Sequence, residues 1–404
     1  MNIYDVAIIG AGIAGSFAAY RLAKEHKDLK CIMFDMGRPP AKRRRQLEGF
    51  LGCLPNSDGK LYLSDVAKVS SLTGNRKAKS ALKSVTSIME KVADLKITKD
   101  KRPSVSIEKK IKKLGFDIQA NDYIQIFPKE IHALSKYLAD SIEVGGNITY
   151  NFDNEVTSIA KQKSQFVIST QTGEEFKAKR LIICVGRSGW RWANSLYSNF
   201  GIIEDNNIAK YGIRVEMPSN CLKDFHKSNC TLIKKDDLEI GPLSWYGTVI
   251  PEDHFDMAIS AFRSNENRWK TDKVSFSLIG DVVTNNQGFE QTNRIGQLIF
   301  VLANDRVIKE KVSTILNGKS TVSKIKEYDW LAEKIHSLSP IIPDLATKAY
   351  FHVPTITPLA PKINIGDNLE SEVDGMFIAG ESAGIQGILA AAMMGWSSAG
   401  EAAK

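Results

Sequence analysis

The chain has 404 residues, 43% hydrophobic, 25% charged and 8% aromatic, with a formal net charge of +8. This is ordinary globular composition, which excludes a disordered or fibrous chain, and the length exceeds one ordinary core, so two interleaved domains are expected. Five cysteines (Cys31, Cys53, Cys184, Cys221 and Cys230), none in a C-x-x-C pair, exclude a disulfide framework and fit a reducing compartment.

In chain order, residues 3–10 form a short apolar run ending in glycine, as a buried parallel strand does. Asp5 and the lack of a basic residue before this run set it apart from a secretory leader. Helical spacing follows, then a second strand, KCIMFD, closing at Asp35, which completes a β-α-β unit. Residues 60–113 are rich in Lys and Ser, with helices expected near 79–96 and 104–114. A strand from Tyr123 to Phe127 leads to a helix opened by Pro128, a favoured first-turn residue. Strands near 147–152, 165–170 and 181–186 continue the pattern.

From about 190 to 350 the character changes. YGIRVEM, SWYGTVI and DMAISAF read as strands, with one helix around 294–316 and another near 326–337. Beyond Pro354 come loop, strand (GMFIAG), turn and an alanine-rich helix. The stretch from Met376 to Trp396 contains Glu381 and several glycines, too polar and broken for a membrane span. The expected layout is an α/β, three-layer Rossmann-like domain with a parallel sheet, interrupted by an α+β substrate or cap domain. Residues 1–190, with a basic helical insertion at 50–115, form the first part of the dinucleotide domain. Residues 191–350 form the cap domain and 351–404 the returning part. A soluble, cytoplasmic protein with no membrane partner is expected, and its oligomeric state is left open.

Gly10-Ala-Gly12-Ile-Ala14-Gly15 lies between the first strand and helix, the position that gives a G-x-G-x-x-G its meaning. The first glycine permits the tight turn, the second admits a pyrophosphate, and the third lets helix and strand pack. The helix N-terminus offers unpaired N–H groups and a positive dipole end to the phosphates. Asp35 ends the second strand, where a carboxylate accepts ribose hydroxyls. A dinucleotide cofactor follows.

The C-terminal GMFIAGESAGIQGILAAAMMGWSSAGEAA resembles the closing motif of FAD-dependent oxidoreductases of the glutathione-reductase-like superfamily. The resemblance implies FAD. It brings Gly380 and Glu381 near the ribityl–phosphate region, although most relatives carry Asp in place of Glu381. It turns the helix beginning at Gly387 and Ile388 toward the flavin pyrimidine. LIICVG, ending at Gly186, resembles the strand that returns the chain to the FAD domain. Asn154-Glu155-Val156 falls where such proteins contact adenine through the backbone, and Arg43, in the run Arg38, Lys42, Arg43, Arg44, Arg45, where an arginine contacts the FAD phosphates. S-D-G-K-L (57–61) and G-I-R-V-E-M-P (212–218) resemble a poorly characterised group of single-dinucleotide FAD-dependent dehydrogenases, whose substrates are largely unassigned. Here the glycine-rich run usual before S-D-G-K-L is replaced by GFLGCLPN.

No second G-x-G-x-x-G exists, so a substrate or reductant must meet the flavin directly. Four residues are candidates for that chemistry. Lys60 faces the flavin or, as most lysines do, solvent. Trp245, beside Tyr246 and Gly247, walls a substrate cavity or belongs to the core. Arg263 holds a substrate anion or a surface ion pair. His352 acts as a base or plays a structural part. The leading expectation is hydride transfer between an organic small molecule, bearing an amine or a hydroxyl on the reacting carbon, and flavin N5.

The charge is local. Residues 38–113 hold twenty Lys and Arg against seven Asp and Glu. This supports an alternative, an FAD enzyme that oxidises an amino substituent on a modified base and docks nucleic acid through 38–113. The bland reading of the charge run is a solvated face. A third reading is a flavin-binding protein with no turnover.

Overall fold

The structure, a computed structural model, describes residues 3–43, 46–225, 228–229, 231–254, 257–264, 266–304, 306–357 and 361–404. Arg44, Arg45 and Cys230 lie outside the described residues. The chain divides into two compact units. The first is Met1–Ile97, Ile124–Asp205 and Leu359–Lys404; the second is Thr98–Tyr123 and Asn206–Pro358.

The first unit is built on a seven-stranded sheet in the order Ile148–Phe152, Cys31–Asp35, Ile3–Ile9, Glu175–Ile183, Gln165–Thr170, Val156–Gln162. Strand Met376–Ile378 pairs with the end of Glu175–Ile183. Four of these strand pairs are parallel, and at their centre residues 6–9, 31–34 and 181–183 are apolar and buried on both faces of the sheet. Ile8 and Met33 belong to one buried cluster, Ala7, Ile32 and Phe34 to another. Helix Ile13–Glu25 packs against the C-terminal helix Ile388–Ala402 so closely that a Cβ on Gly395 would strike the backbone of Ala14. That contact explains the small residues on both helices. The Rossmann-like α/β class read from the sequence is the observed one.

The second unit carries an eight-stranded antiparallel sheet, in the order Ile308–Lys311, Tyr350–Ile356, Ile208–Pro218, Lys273–Val283, Leu238–Ile240, Leu232–Lys235, Asp117–Gln119. Ser244–Trp245 pairs with Lys273–Val283. Ile213, Val215, Met217, Val274, Phe276, Leu278, Phe351 and Val353 alternate along three of these strands and are all buried. They form the apolar face, on which helix Gly288–Leu302 packs.

Three expectations change. The basic insertion is divided: helix Asn75–Met89 stays in the first unit, while helix Val105–Lys113 and strand Asp117–Gln119 join the second, because that strand pairs with Leu232–Lys234. The cap is displaced from 191–350. Helix Trp190–Phe200 packs within the first unit, and the strand Tyr350–Ile356 is central to the second sheet. The single helix expected over 294–316 ends at Leu302, with Asn304 at a positive φ of 50°, and Ile308–Lys311 becomes an edge strand paired with Tyr350–Val353.

Candidate functional site

In the first unit, strand Ile3–Ile9 has Cys31–Asp35 on one side and Glu175–Ile183 on the other. Chain connections diverge there, and the crevice at the carboxyl ends of such strands is where open α/β sheets bind ligands. The turn after Ile9 occupies this crevice. Gly10 has φ +98°, and a Cβ there would press on the Cys184 carbonyl at 2.8 Å. A Cβ on Gly15 would overlap the Gly10 carbonyl oxygen. Gly12 differs. A Cβ there meets only Cys184 O at 3.9 Å and the Gly52 Cα at 4.0 Å, ordinary contacts, so the protein's own packing tolerates a side chain at 12. Its backbone lies at φ −59°, open to any residue. Helix Ile13–Glu25 starts from Gly12 with no side-chain cap and no acid in its first turn, which leaves its N–H groups and dipole to an anion.

Asp35 does more than its place at the strand end suggests. Its Oδ2 accepts from the Ala11 N–H at 2.7 Å, and its Oδ1 accepts from Gly37 at 2.7 Å and Gly49 at 2.8 Å. Burial pushes its carboxyl up, against these three N–H donors. A carboxylate has about four acceptor positions, and the Ala11 N–H takes one of the two on Oδ2. Arg43 donates to the carbonyls of Phe50 at 2.6 Å, Gln46 at 2.7 Å and Gly52. Its Nε is buried without a hydrogen-bond partner. Arg43 thus clamps the 46–52 loop, a role the sequence did not suggest. The loop in turn touches the phosphate turn, since Leu51 N–H donates to the Ala11 carbonyl at 2.9 Å.

The C-terminal motif reaches the same turn. Gly380, at φ +72°, comes so close to Ala14 that a Cβ there would lie 3.5 Å from the Ala14 methyl. Glu381 pairs with Arg187 at 3.0 Å, and its other oxygen would lie 3.5 Å from a Cβ on Gly186. Val156 begins its strand with a buried side chain, opposite Thr170. Helix Ile388–Ala402 starts from Gly387 at φ +130°. Asp65, fully buried, lies against Gly387 at its N-terminus and is held by Lys68 at 2.8 Å. Burial pushes the Asp65 carboxyl up, opposed by Lys68 and by the N–H groups of Ala390 and Leu389. Asp65 was invisible in the sequence, where nothing links it to position 387. Lys60 is largely buried in the same unit, 3.9 Å from Asp58.

Trp245, Arg263 and His352 belong to the second unit, whereas Lys60 belongs to the first. Trp245 is buried opposite Val274 on the apolar side of the sheet and donates its indole N–H to Ser228 O at 2.6 Å, as a core tryptophan does. Arg263 is buried with its guanidinium 5.6 Å above the Trp269 ring. His352 lies 3.6 Å from the buried carboxylate of Glu216, which Lys273 (3.1 Å) and Lys309 (3.0 Å) also approach. Burial lowers the His352 pKa against the pull of Glu216, which keeps the imidazole neutral at pH 7. Burial pushes Glu216 up, but His352, Lys309 and Lys273 together outweigh it and hold the carboxyl well below its usual range. The sequence reading missed Glu216 and Arg214, although their alternation with Ile213, Val215 and Met217 is the period-2 signal of a strand with one polar face.

Lys109, Lys110, Lys112 and Lys113 are exposed on a helix whose Ile107 and Ile111 are buried, an amphipathic arrangement. Among the described residues no helix is long and apolar enough to cross a membrane, and no cluster of His, Cys, Asp and Glu is arranged to hold a metal. Cys31, Cys53, Cys184 and Cys221 are free thiols.

Residues 4–194 match the pyridine nucleotide-disulphide oxidoreductase family. No curated protein matches. Among solved structures, the chain resembles glycine oxidase from Geobacillus kaustophilus at 15% identity and TM-score 0.42, over 98% of this chain and 93% of that one. A flavoprotein/dehydrogenase from Cytophaga hutchinsonii aligns at 14% identity and TM-score 0.42, over 99% and 78%. The halogenase PltM aligns at 13% identity and TM-score 0.46, over 98% and 68%. Likenesses this distant assign no reaction. The family match spans the Gly10–Gly15 turn, Asp35 and the strand that ends before Cys184.

Proposed function

We propose that the first unit holds FAD and that the chain transfers a hydride between an organic small molecule and the flavin. Gly10, Gly12, Ala14 and Gly15 would receive the pyrophosphate on the free N–H groups of helix Ile13–Glu25. Asp35 would accept a ribose hydroxyl on its remaining Oδ2 position, and the backbone at Val156 would meet the adenine. Arg43 would act at one remove, by fixing the loop that lies against the phosphate turn. Gly186, Gly380, Glu381, Gly387 and Ile388 would line the path of the flavin half, where Arg187 keeps the Glu381 carboxylate charge-balanced. FAD supplies a two-electron centre that accepts or returns hydride. The second unit would bind the substrate, with neutral His352 available to take or hold a proton.

The observation that carries this reading is the open space at Gly12. The fold itself does not require glycine there, whereas it does at Gly10 and Gly15, and a pyrophosphate does require it. A test adds candidate amines, alcohols and hydroxy acids to the oxidised holoprotein under anaerobic conditions. Bleaching of the flavin band by one compound class supports hydride transfer into the flavin. A band that no member of a broad panel bleaches, and that NAD(P)H does not bleach either, counts against turnover and favours a flavin-binding protein without it.

A further inference from the structure

Part of the basic run forms a surface of the second unit. Thr98–Tyr123 belongs to that unit, and within it residues 99–113 hold seven Lys and Arg against two Asp and Glu. Both acids are already engaged. Asp100 accepts from the Asn229 N–H at 2.7 Å and from the Thr231 hydroxyl at 2.9 Å. Glu108 is held between Arg102 at 2.9 Å and Lys112 at 3.0 Å. Lys99, Lys101, Lys109, Lys110 and Lys113 are exposed and form no ion pair among the described residues.

Packing fixes where these charges point. Helix Val105–Lys113 buries Ile107 and Ile111, so at 3.6 residues per turn Lys109, Lys112 and Lys113 take the opposite side. A solvated helix of this chain mixes its signs: Pro128–Gly145 exposes Lys129, Lys136, Asp140 and Glu143, and pairs Lys136 with Asp140 at 2.7 Å. Helix Val105–Lys113 instead sets like charges three or four positions apart, 109 with 112, 109 with 113 and 110 with 113, which weakens a helix on its own. The dipole at its C-terminal end is already met by Lys235, which donates to the Leu114 carbonyl at 3.0 Å. A one-signed surface of this kind attracts a polyanion.

We infer that this surface docks the phosphate backbone of a nucleic acid. Lysine meets a phosphate as a point charge, and backbone contacts of this kind position a nucleic acid without reading its bases. Phe116 and Tyr123, the aromatic residues of Thr98–Tyr123, are buried, so the segment offers no ring for base stacking and the binding is independent of sequence. An anionic lipid surface fits less well. An interfacial helix lays an apolar face into the membrane, and here Ile107 and Ile111 are packed in the protein, which leaves Val105 as the exposed apolar side chain of the helix. The inference is independent of the flavin reading, since it names a docking partner and not the molecule that reacts.

The test measures binding of the purified full chain to a short labelled DNA duplex and to a single-stranded RNA of equal length, by fluorescence anisotropy at about 50 and 200 mM salt. At least one should bind, and its affinity should fall roughly tenfold or more across that range, as several phosphate contacts require. The combined variant Lys109→Gln, Lys110→Gln and Lys113→Gln should weaken binding about tenfold or more at the lower salt, with an unchanged unfolding temperature. A control variant, Lys27→Gln, Lys129→Gln and Lys163→Gln, removes the same charge from exposed lysines of the first unit and should change binding by less than about twofold. No binding of either nucleic acid at the lower salt, binding that the first variant retains, or an equal loss in the control variant would each overturn the inference. Vesicles of phosphatidylcholine and phosphatidylserine form the last arm. Capture on them that the first variant loses, with neither nucleic acid bound, would assign the surface to lipid and overturn the inference as well. Flavin content is read on every protein, so a chain without FAD that binds nucleic acid through these lysines refutes only the cofactor reading.

Discussion

Asp65 stands where a side chain on Gly387 would have to go, with both carboxylate oxygens closer to that position than atoms pack. The two residues belong to elements far apart in sequence; Lys68, which holds Asp65, also donates to the Gln386 carbonyl 318 positions away at 2.9 Å. The acid fills the space at the start of the C-terminal helix and offsets the positive end of its dipole.

Gly387→Ala should therefore be costly twice over. It forces a φ of +130° on an L residue and drives a methyl group into a carboxylate held from the other side. The expected loss is about 2 kcal/mol or more of unfolding free energy, measured by denaturant titration. An unchanged midpoint would mean that the Asp65–Gly387 contact is not formed.

The three glycines of the phosphate turn should separate by phenotype. Gly12→Val should fold with near-normal thermal stability and lose FAD, because the position is open to the protein and closed to a pyrophosphate. Gly15→Val should fail to fold well, since the added carbon overlaps the Gly10 carbonyl. Circular dichroism melts and flavin absorbance on both proteins check this. Retention of full FAD by Gly12→Val contradicts the assignment of the turn.

Arg43→Met removes three charge-assisted hydrogen bonds to the carbonyls of Gln46, Phe50 and Gly52. The expected cost is about 2–3 kcal/mol, allowing for water replacing part of them. FAD affinity should fall with it because the 46–52 loop touches the phosphate turn. Native-state hydrogen exchange should show the amides of 47–52 losing protection before the rest of the unit.

The Glu216–His352 cluster sets a pH dependence whose direction follows from linkage. Glu216 has its folded pKa below the ordinary 4.5. Its contribution is complete above the unfolded value and is lost as pH falls toward the folded one. Glu216→Gln should thus destabilise the protein at pH 7, with the gap to wild type narrowing below about pH 4. His352 has its folded pKa below the ordinary 6.5. Its burial in the neutral form is favourable above that value, and stability is lost as pH drops beneath it. His352→Gln should flatten the stability profile as pH falls below about 6.5. Equal slopes in wild type and variant would contradict the burial of this imidazole.

Much of the first unit was legible because its signals are local. A strand, three glycines at fixed spacing and a helix follow one another directly between Ile3 and Glu25, and Gly380-Glu381 carries its own turn chemistry. The second unit was harder. Strands such as YGIRVEM were recognisable, but the polar face formed by Arg214, Glu216, Ser275, Ser277 and His352 exists only once three distant strands pair. The helix expected to 316 failed because apolar spacing continues past Leu302 into an edge strand, where tertiary pairing, not periodicity, decides. Arg43 was read as a phosphate ligand from its position, and its engagement with three carbonyls depends on a loop that no local pattern specifies. Asp65 had no sequence signal at all.

The claim on which the rest depends is that the turn at Gly10–Gly15 holds FAD. The direct measurement is to denature the purified protein and identify and quantify the nucleotide released, by chromatography against FAD, FMN and NAD standards. Release of FAD from wild type, near one per chain when reconstituted, and none from Gly12→Val is the outcome this account requires. Release of FMN or NAD, no nucleotide after reconstitution with FAD, or equal FAD from both proteins would contradict it.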